Sequence, residues 1–449
     1  MQPLAVGFTL AARAVVAGSL FATAVAGAQS TSSIVDGQLS NLLSTYKSLH
    51  AAPELSHHEE KTSAMLAAEL RKAGYEVTEH IGKYPDGSQA FGLVGILKNG
   101  KGPTLLVRAD MDALPVAEKT GLPYASTVHA KNPAGQDVGV MHACGHDIHV
   151  TTMIGVARAM VAEKARWHGT LMLVGQPSEE TIDGAKAMLA DHLYERFGTP
   201  DMAIALHDSN LAAGKLAVVP GYALASSTSI DVTMKGVGTH GAHPESGKDP
   251  VVMAAEFIVA VQTVVSRSIA AQDPAVITVG DIHGGTKRNI ISEEVKMELT
   301  TRAFNEKVRQ QIIDGIERTA RGVAIAGGMP EDKMPVVTVR DDESTPAMYN
   351  DPALAARLNK VFAEKFGKEN VVPNDPIMGS EDFGIFGLDH KIPAVIFWLG
   401  AYDPARVAES EASGKALPFP HSPLFAPSPE PTLRTGVTAM TEAAISLLQ

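Results

Sequence analysis

The chain has 449 residues, 45% hydrophobic and 20% charged, an ordinary globular composition and long enough that two domains are expected. Acidic residues exceed basic ones by 50 to 38, and the net charge of −12 argues against non-specific nucleic-acid binding and docking on anionic membranes. A single cysteine excludes an internal disulfide.

Residues 1–28 hold no acid and one base, Arg13. Their apolar run, Ala14 to Val25, ends at Ala26-Gly27-Ala28, so a cleaved secretory signal peptide is expected. The mature protein would then be exported, periplasmic or secreted, without stable membrane association. A helix is expected over Gln38–Leu49. Pro53-Glu54-Leu55-Ser56 follows, then a helix over His57–Ala73 whose His57-His58 start reads as solvated. Strands are expected over Tyr75–His80 and Phe91–Leu97.

A pattern then recurs. Thr104–Asp110 is an apolar strand ending in an acid, with Asp112 two residues on. Thr170–Ser178 ends in Glu179-Glu180, and Met202–Leu206 ends in His207. Alternating with helices, such runs read as buried strands of a mostly parallel sheet, whose ligand site lies at the strands' carboxyl ends. Between the first two lies Met141-His142-Ala143-Cys144-Gly145-His146-Asp147-Ile148-His149, followed at once by a helical run. Cys144 and His146 thus sit at a helix N-terminus, where partial positive charge is expected to lower the thiol pKa and favour the metal-binding thiolate. His142, His149 and His192 read as ordinary polar or helix-end histidines.

From Ser229 the rhythm changes. Strands at Ser229–Lys235, Ala275–Ile282, Val295–Thr301 and Val336–Arg340 alternate with helices at Val251–Ile269 and Asn305–Val323, the βαββαβ order of a ferredoxin-like domain. Gly236-Val237-Gly238-Thr239-His240-Gly241 matches a dinucleotide fingerprint, but no helix starts there, and the glycines read instead as a tight turn presenting His240. The first domain resumes with a helix (Pro352–Phe366), a strand (Ala394–Leu399) and a closing helix. The expected division is a signal peptide over 1–28, a catalytic domain in two parts, 36–225 and 344–449, and an inserted lid or dimerisation domain over 226–343. Hinges are expected near 222–228 and 341–346. Glu381-Asp382 reads as a helix-start cap.

The chain resembles the dinuclear-metal amidohydrolases that act on N-acyl amino acids, the hippurate hydrolases and indole-acetyl-amino-acid hydrolases, which are related to aminoacylases and zinc carboxypeptidases. The resemblance spans roughly residues 40–449. It rests on Pro53-Glu54-Leu55-Ser56, Arg108–Pro115, Met141–Asp147, Glu179-Glu180, His240-Gly241-Ala242, Met378–Phe383 and His421-Ser422-Pro423. It implies that Cys144, His146, Glu180, His207 and His421 hold two divalent ions (zinc, manganese, cobalt or nickel). Glu179 would be general base and then acid, and His240 would polarise the scissile carbonyl. Asn289 would contact substrate, Asp112 would orient a metal ligand, and the chain would form a homodimer. The substrate would be a small N-acyl or N-aroyl amino acid or a dipeptide.

Thr239, His243, Glu245 and the non-acidic segment after His421 depart from the usual pattern without removing a ligand. Alternatives are a dipeptidase or carboxypeptidase on the same scaffold, or a silent metal- or peptide-binding protein; the retained Glu179 speaks against the silent one. A redox sensor using Cys144 lacks the resolving cysteine such sensors often carry.

Overall fold

The computed structural model describes residues 1, 2, 7 and 30–449; the expected signal peptide, apart from three of its residues, lies outside the described residues. The first part of the chain forms α1 (Thr31–His50), α2 (Glu60–Lys72), β1 (Glu76–Lys83), β2 (Gln89–Asn99), β3 (Thr104–Asp110), β4 (His129–Lys131), β5 (Asp137–Gly139), α3 (His146–Ala162), β6 (Gly169–Gln176), α4 (Gly184–Ala190), α5 (Leu193–Phe197), β7 (Met202–Ala212), β8 (Leu216–Ala217) and β9 (Gly221–Leu224). The insert forms β10 (Ser226–Lys235), β11 (Thr239–His240), α6 (Pro250–Thr263), β12 (Ala275–Gly284), β13 (Ile290–Ile291), β14 (Glu294–Ala303), α7 (Glu306–Ala326) and β15 (Val336–Thr345). The chain returns through β16 (Met348–Asn350), α8 (Pro352–Phe366), β17 (Ala394–Tyr402), α9 (Pro404–Ser413) and α10 (Pro429–Leu447).

The main sheet has seven strands in the order β1-β2-β6-β3-β7-β17-β8. Its central strands β6, β3, β7 and β17 run parallel, so their carboxyl ends share one edge. These strands are apolar on both faces because both are covered. Leu105 and Val107 of β3 pack into a core with α1, α3 and α10, while Leu106 packs into a second core on the other face. Val35, Leu39, Leu42, Tyr46 and Leu49 recur at helical spacing along α1 and are all buried. That helix begins at Thr31, earlier than expected, because buried Thr31 donates to Glu163 at 2.7 Å and Ser30 caps the first turn.

The insert is a four-stranded antiparallel sheet in the order β12-β14-β10-β15 with two helices on one face. This is the expected ferredoxin-like arrangement. Asp249 with Pro250 starts α6, and Asn305 caps α7. Ile230, Val232 and Met234 of β10 point to these helices, while Ser227 and Ser229 alternate to the opposite face. The chain enters and leaves side by side, through the antiparallel ribbon of β9 with β16. Lys186 of α4 donates to the carbonyls of Asp341 and Ser344 beside it.

Candidate metal and catalytic site

The expected donors meet at the carboxyl edge of the parallel strands. Cys144, His146 and His207 form one group whose ligand atoms all lie within 4.8 Å of one another, and Cys144, Glu180 and His421 form another. The thiol is common to both. Glu179 and Glu180 sit with His146 in a third group.

His146 and His207 are each aimed by their other ring nitrogen. His146 Nδ1 donates to the Asp112 carbonyl at 2.9 Å, and His207 Nδ1 donates to the Asp208 carbonyl at 2.8 Å. Their Nε2 atoms are left for the cluster, and His207 Nε2 stands 3.5 Å from Cys144 Sγ. His421, held with φ 70° by its N–H bond to the Ala143 carbonyl, brings Nε2 to 3.3 Å from Glu180 Oε2. Buried His146 Nε2 and Glu180 Oε1 have no hydrogen-bond partner among the described residues. Two imidazole nitrogens with locked tautomers, a shared thiol and orphaned carboxylate oxygens fit a pair of divalent transition-metal ions.

The electrostatics agree. Burial, with the charges of Glu381 and Glu180, pushes the Glu179 carboxyl well up. Burial likewise raises Glu180, and it raises the Cys144 thiol together with the Glu180 charge. The helix N-terminus does not lower the thiol pKa as expected: α3 does start at His146, but desolvation and a facing carboxylate outweigh its partial charge. Bound cations would supply the missing compensation.

Several residues read as ordinary in the sequence belong to the scaffold of this site. His149 is buried. The Asp208 N–H donates to its Nε2 at 3.1 Å, so Nδ1 carries the proton and donates to Asp110 Oδ1 at 2.5 Å. Arg108 donates to the other oxygen of Asp110 at 2.5 Å and to Glu381 at 2.6 Å. Glu381 does accept from the Phe383 N–H at the start of a short 3-10 turn, as a cap should, but it and Asp382 also pair with Arg108 in the core. Gly145 permits Asp208 to approach: its φ is 84°, and a Cβ there would stand 2.0 Å from Asp208 Oδ2. Asp112 is buried and accepts from Ser56 Oγ at 2.7 Å and the Glu180 N–H at 3.0 Å. His57 and His58 are exposed as expected, but they do not start the helix: α2 begins at Glu60, and the His57 ring stacks on Tyr84 at 4.2 Å.

A cavity of about 850 Å³ opens above the cluster. Its far wall is the insert's open sheet face, with Ser227, Ser229, Thr300 and Arg302. Arg302 reaches across to Ser380 Oγ at 3.2 Å, and burial lowers its pKa. The sequence reading missed it; the available signal was a cation on the face of β14 that alternates away from the helices. His240 and Asn289 are not brought to this cavity. They meet each other on the insert, where β11 pairs with β13 and the Gly241 N–H donates to the Asn289 carbonyl at 2.8 Å. His240 is exposed there, and its Nδ1 accepts from the Ala242 N–H at 3.1 Å, leaving Nε2–H free to donate.

Strand-end acids, histidines and a thiol at one edge of a parallel sheet, faced by an inserted domain, define a metal-dependent hydrolase. Residues 106–413 match the profile of the peptidase family M20/M25/M40. Hippurate hydrolase of Campylobacter jejuni is 35% identical over 75% of this chain and 82% of its own. The crystal structure of a putative aminohydrolase from methicillin-resistant Staphylococcus aureus superposes with a TM-score of 0.80 at 28% identity, over 93% of this chain and 99% of that one. A Bacillus subtilis dinuclear metal binding peptidase from the M20 family gives 0.73 at 26%, over 92% and 99%. The chain belongs to the M20/M25/M40 peptidase family.

Proposed function

We propose that the protein hydrolyses the amide bond of N-acyl or N-aroyl amino acids. The carrying observation is the convergence of Glu179 with the five donors at the floor of a cavity whose opposite wall presents Arg302. Cys144, His146, Glu180, His207 and His421 would hold two divalent ions, which when bound activate water and stabilise developing oxyanion charge. Glu179 takes the proton from the attacking water and returns it to the leaving amine, standing beside the donor Glu180 and in one group with His146. Arg302 is the counter-charge for the substrate carboxylate. Ile182, Leu211, Leu224, Ile377 and Phe419 offer the acyl group an apolar wall. His240 Nε2–H serves as donor to the scissile carbonyl once closure of the insert, or a second copy of the chain, carries it to the site.

A homodimer built through the insert is supported by its exposed apolar residues. Val252 and Val259 on α6 are 53% and 74% exposed, beside the open edge of β12. The apolar run Ala14 to Val25 ending at Ala26-Gly27-Ala28 supports a cleaved signal peptide and export; recovery of the protein from its host with residues 1–28 intact would reject that reading.

The test is Glu179→Gln assayed on hippurate and N-acetyl amino acids. Turnover should fall by about 10² to 10⁴ while metal content is kept. Chelation should abolish the wild-type activity and reloading should restore it. A Glu179→Gln enzyme with wild-type turnover would falsify the assignment. Preferential cleavage of free dipeptides over N-acyl amino acids would favour the dipeptidase alternative.

A further inference from the structure

Directly after the Pro53-Glu54-Leu55-Ser56 motif comes His57-His58-Glu59, which supplies none of the donors or acids of the reaction. It lies behind the turn that carries Glu179 and Glu180. That turn is strained: Ser178 and Ile182, neither a glycine, stand in the left-handed region at φ 54° and 52°. Something must hold it. At its far end, the Ala185 N–H is fixed by Asp382 Oδ2 at 3.0 Å. At its near end the partner is Glu59, fully buried. Glu59 Oε1 accepts from the Ser178 N–H at 2.8 Å, from Ser178 Oγ at 3.0 Å and from the His57 N–H at 3.0 Å. Tyr84 OH, 2.6 Å from Ser178 Oγ, donates to it in turn. Glu59 Oε2 is buried with no partner among the described residues.

We infer that Glu59 is a positioning residue for the reaction: through one carboxyl oxygen it locks Ser178 in its left-handed conformation and thereby sets where Glu179 and Glu180 point. The hold depends on the reach of an acceptor and not on negative charge. Burial and the charge of Asp112 raise the Glu59 pKa, which disfavours the anion there.

Glu59→Gln keeps the acceptor at full reach and removes the charge. Glu59→Asp keeps the charge and shortens the reach by one bond, about 1.5 Å. Glu59→Gln should retain kcat within about 3-fold, while Glu59→Asp loses about 10- to 100-fold with KM little changed, the usual cost of an ångström's misplacement. A merely structural role would lower thermal stability in both and spare kcat per folded molecule. A second readout needs no substrate. Cobalt(II) added to metal-free protein should give the wild-type visible spectrum with Glu59→Gln and an altered one with Glu59→Asp, because Glu180 shifts. Glu59→Asp with wild-type kcat and spectrum, or Glu59→Gln damaged as far as Glu59→Asp, overturns the inference. If Glu59→Asp does not fold, Ser178→Ala carries the test. It removes one of the three bonds to Glu59 together with the acceptor of the Tyr84 OH and the His57 N–H, and should lower kcat about 3- to 10-fold at constant KM; unchanged kcat rejects the role. The turnover arm rests on the amidohydrolase reading. A wild type inactive on N-acyl amino acids rejects that reading, while the cobalt spectra still decide the role of Glu59.

Discussion

The strand-end cluster and His240 were both legible in motifs, and the fold treats them in opposite ways. In the first, polar groups are buried and share partners: Arg108, Asp110, His149 and Asp208 form one continuous chain of bonds beneath the donors. In the second, His240 is exposed, and among the described residues its side chain bonds only within its own turn. Burial makes each interaction in the cluster strong and each missing partner costly. The His240 imidazole instead faces solvent, away from the cavity that Arg302 of the same insert helps to line. The strand-end cluster is preorganised by its own contacts, and His240 is not.

The largest expected effect breaks the buried region. Arg108→Met removes the fully buried cation between three carboxylates and leaves Asp110, Glu381 and Asp382 uncompensated. The loss should be about 3–5 kcal/mol in denaturant unfolding. A change below about 1 kcal/mol would show that the network does not hold the edge together. On the other side, His240→Ala should leave thermal stability and metal content unchanged while kcat falls about 10²-fold, as for loss of one oxyanion donor. Wild-type kcat in that variant removes His240 from the reaction. Between the two regions stands Arg302, on the insert but in the cavity. Arg302→Ala should raise KM for N-acyl amino acids about 10- to 100-fold, the value of a charged hydrogen bond, and should not affect substrates lacking the carboxylate. An equal loss for both substrates would make it structural. The smallest effect concerns the exposed helix: Val259→Asn should shift unfolding by no more than about 0.5 kcal/mol. It should nevertheless weaken self-association in sedimentation; a dimer of unchanged affinity would place the interface elsewhere.

Strand identity and the residues that gather at one edge of the sheet were readable from the chain alone. Apolar runs ending at Asp110, Glu179 and His207 mark parallel strands because only strands buried on both faces dispense with alternation, and parallel strands deliver their ends to one edge. The βαββαβ rhythm likewise fixed the insert, since each period, 2 or 3.6, matches one element type. What the sequence could not decide was which polar residues would be desolvated together. His149 and Glu381 looked like surface or capping residues because burial is a property of neighbours far away in the chain. Glu381 lies 273 residues from the Arg108 it pairs with. The direction of the Cys144 pKa followed the same logic: the helix start is local and visible, whereas the desolvation and the Glu180 charge that override it exist only once the strands have brought them into contact.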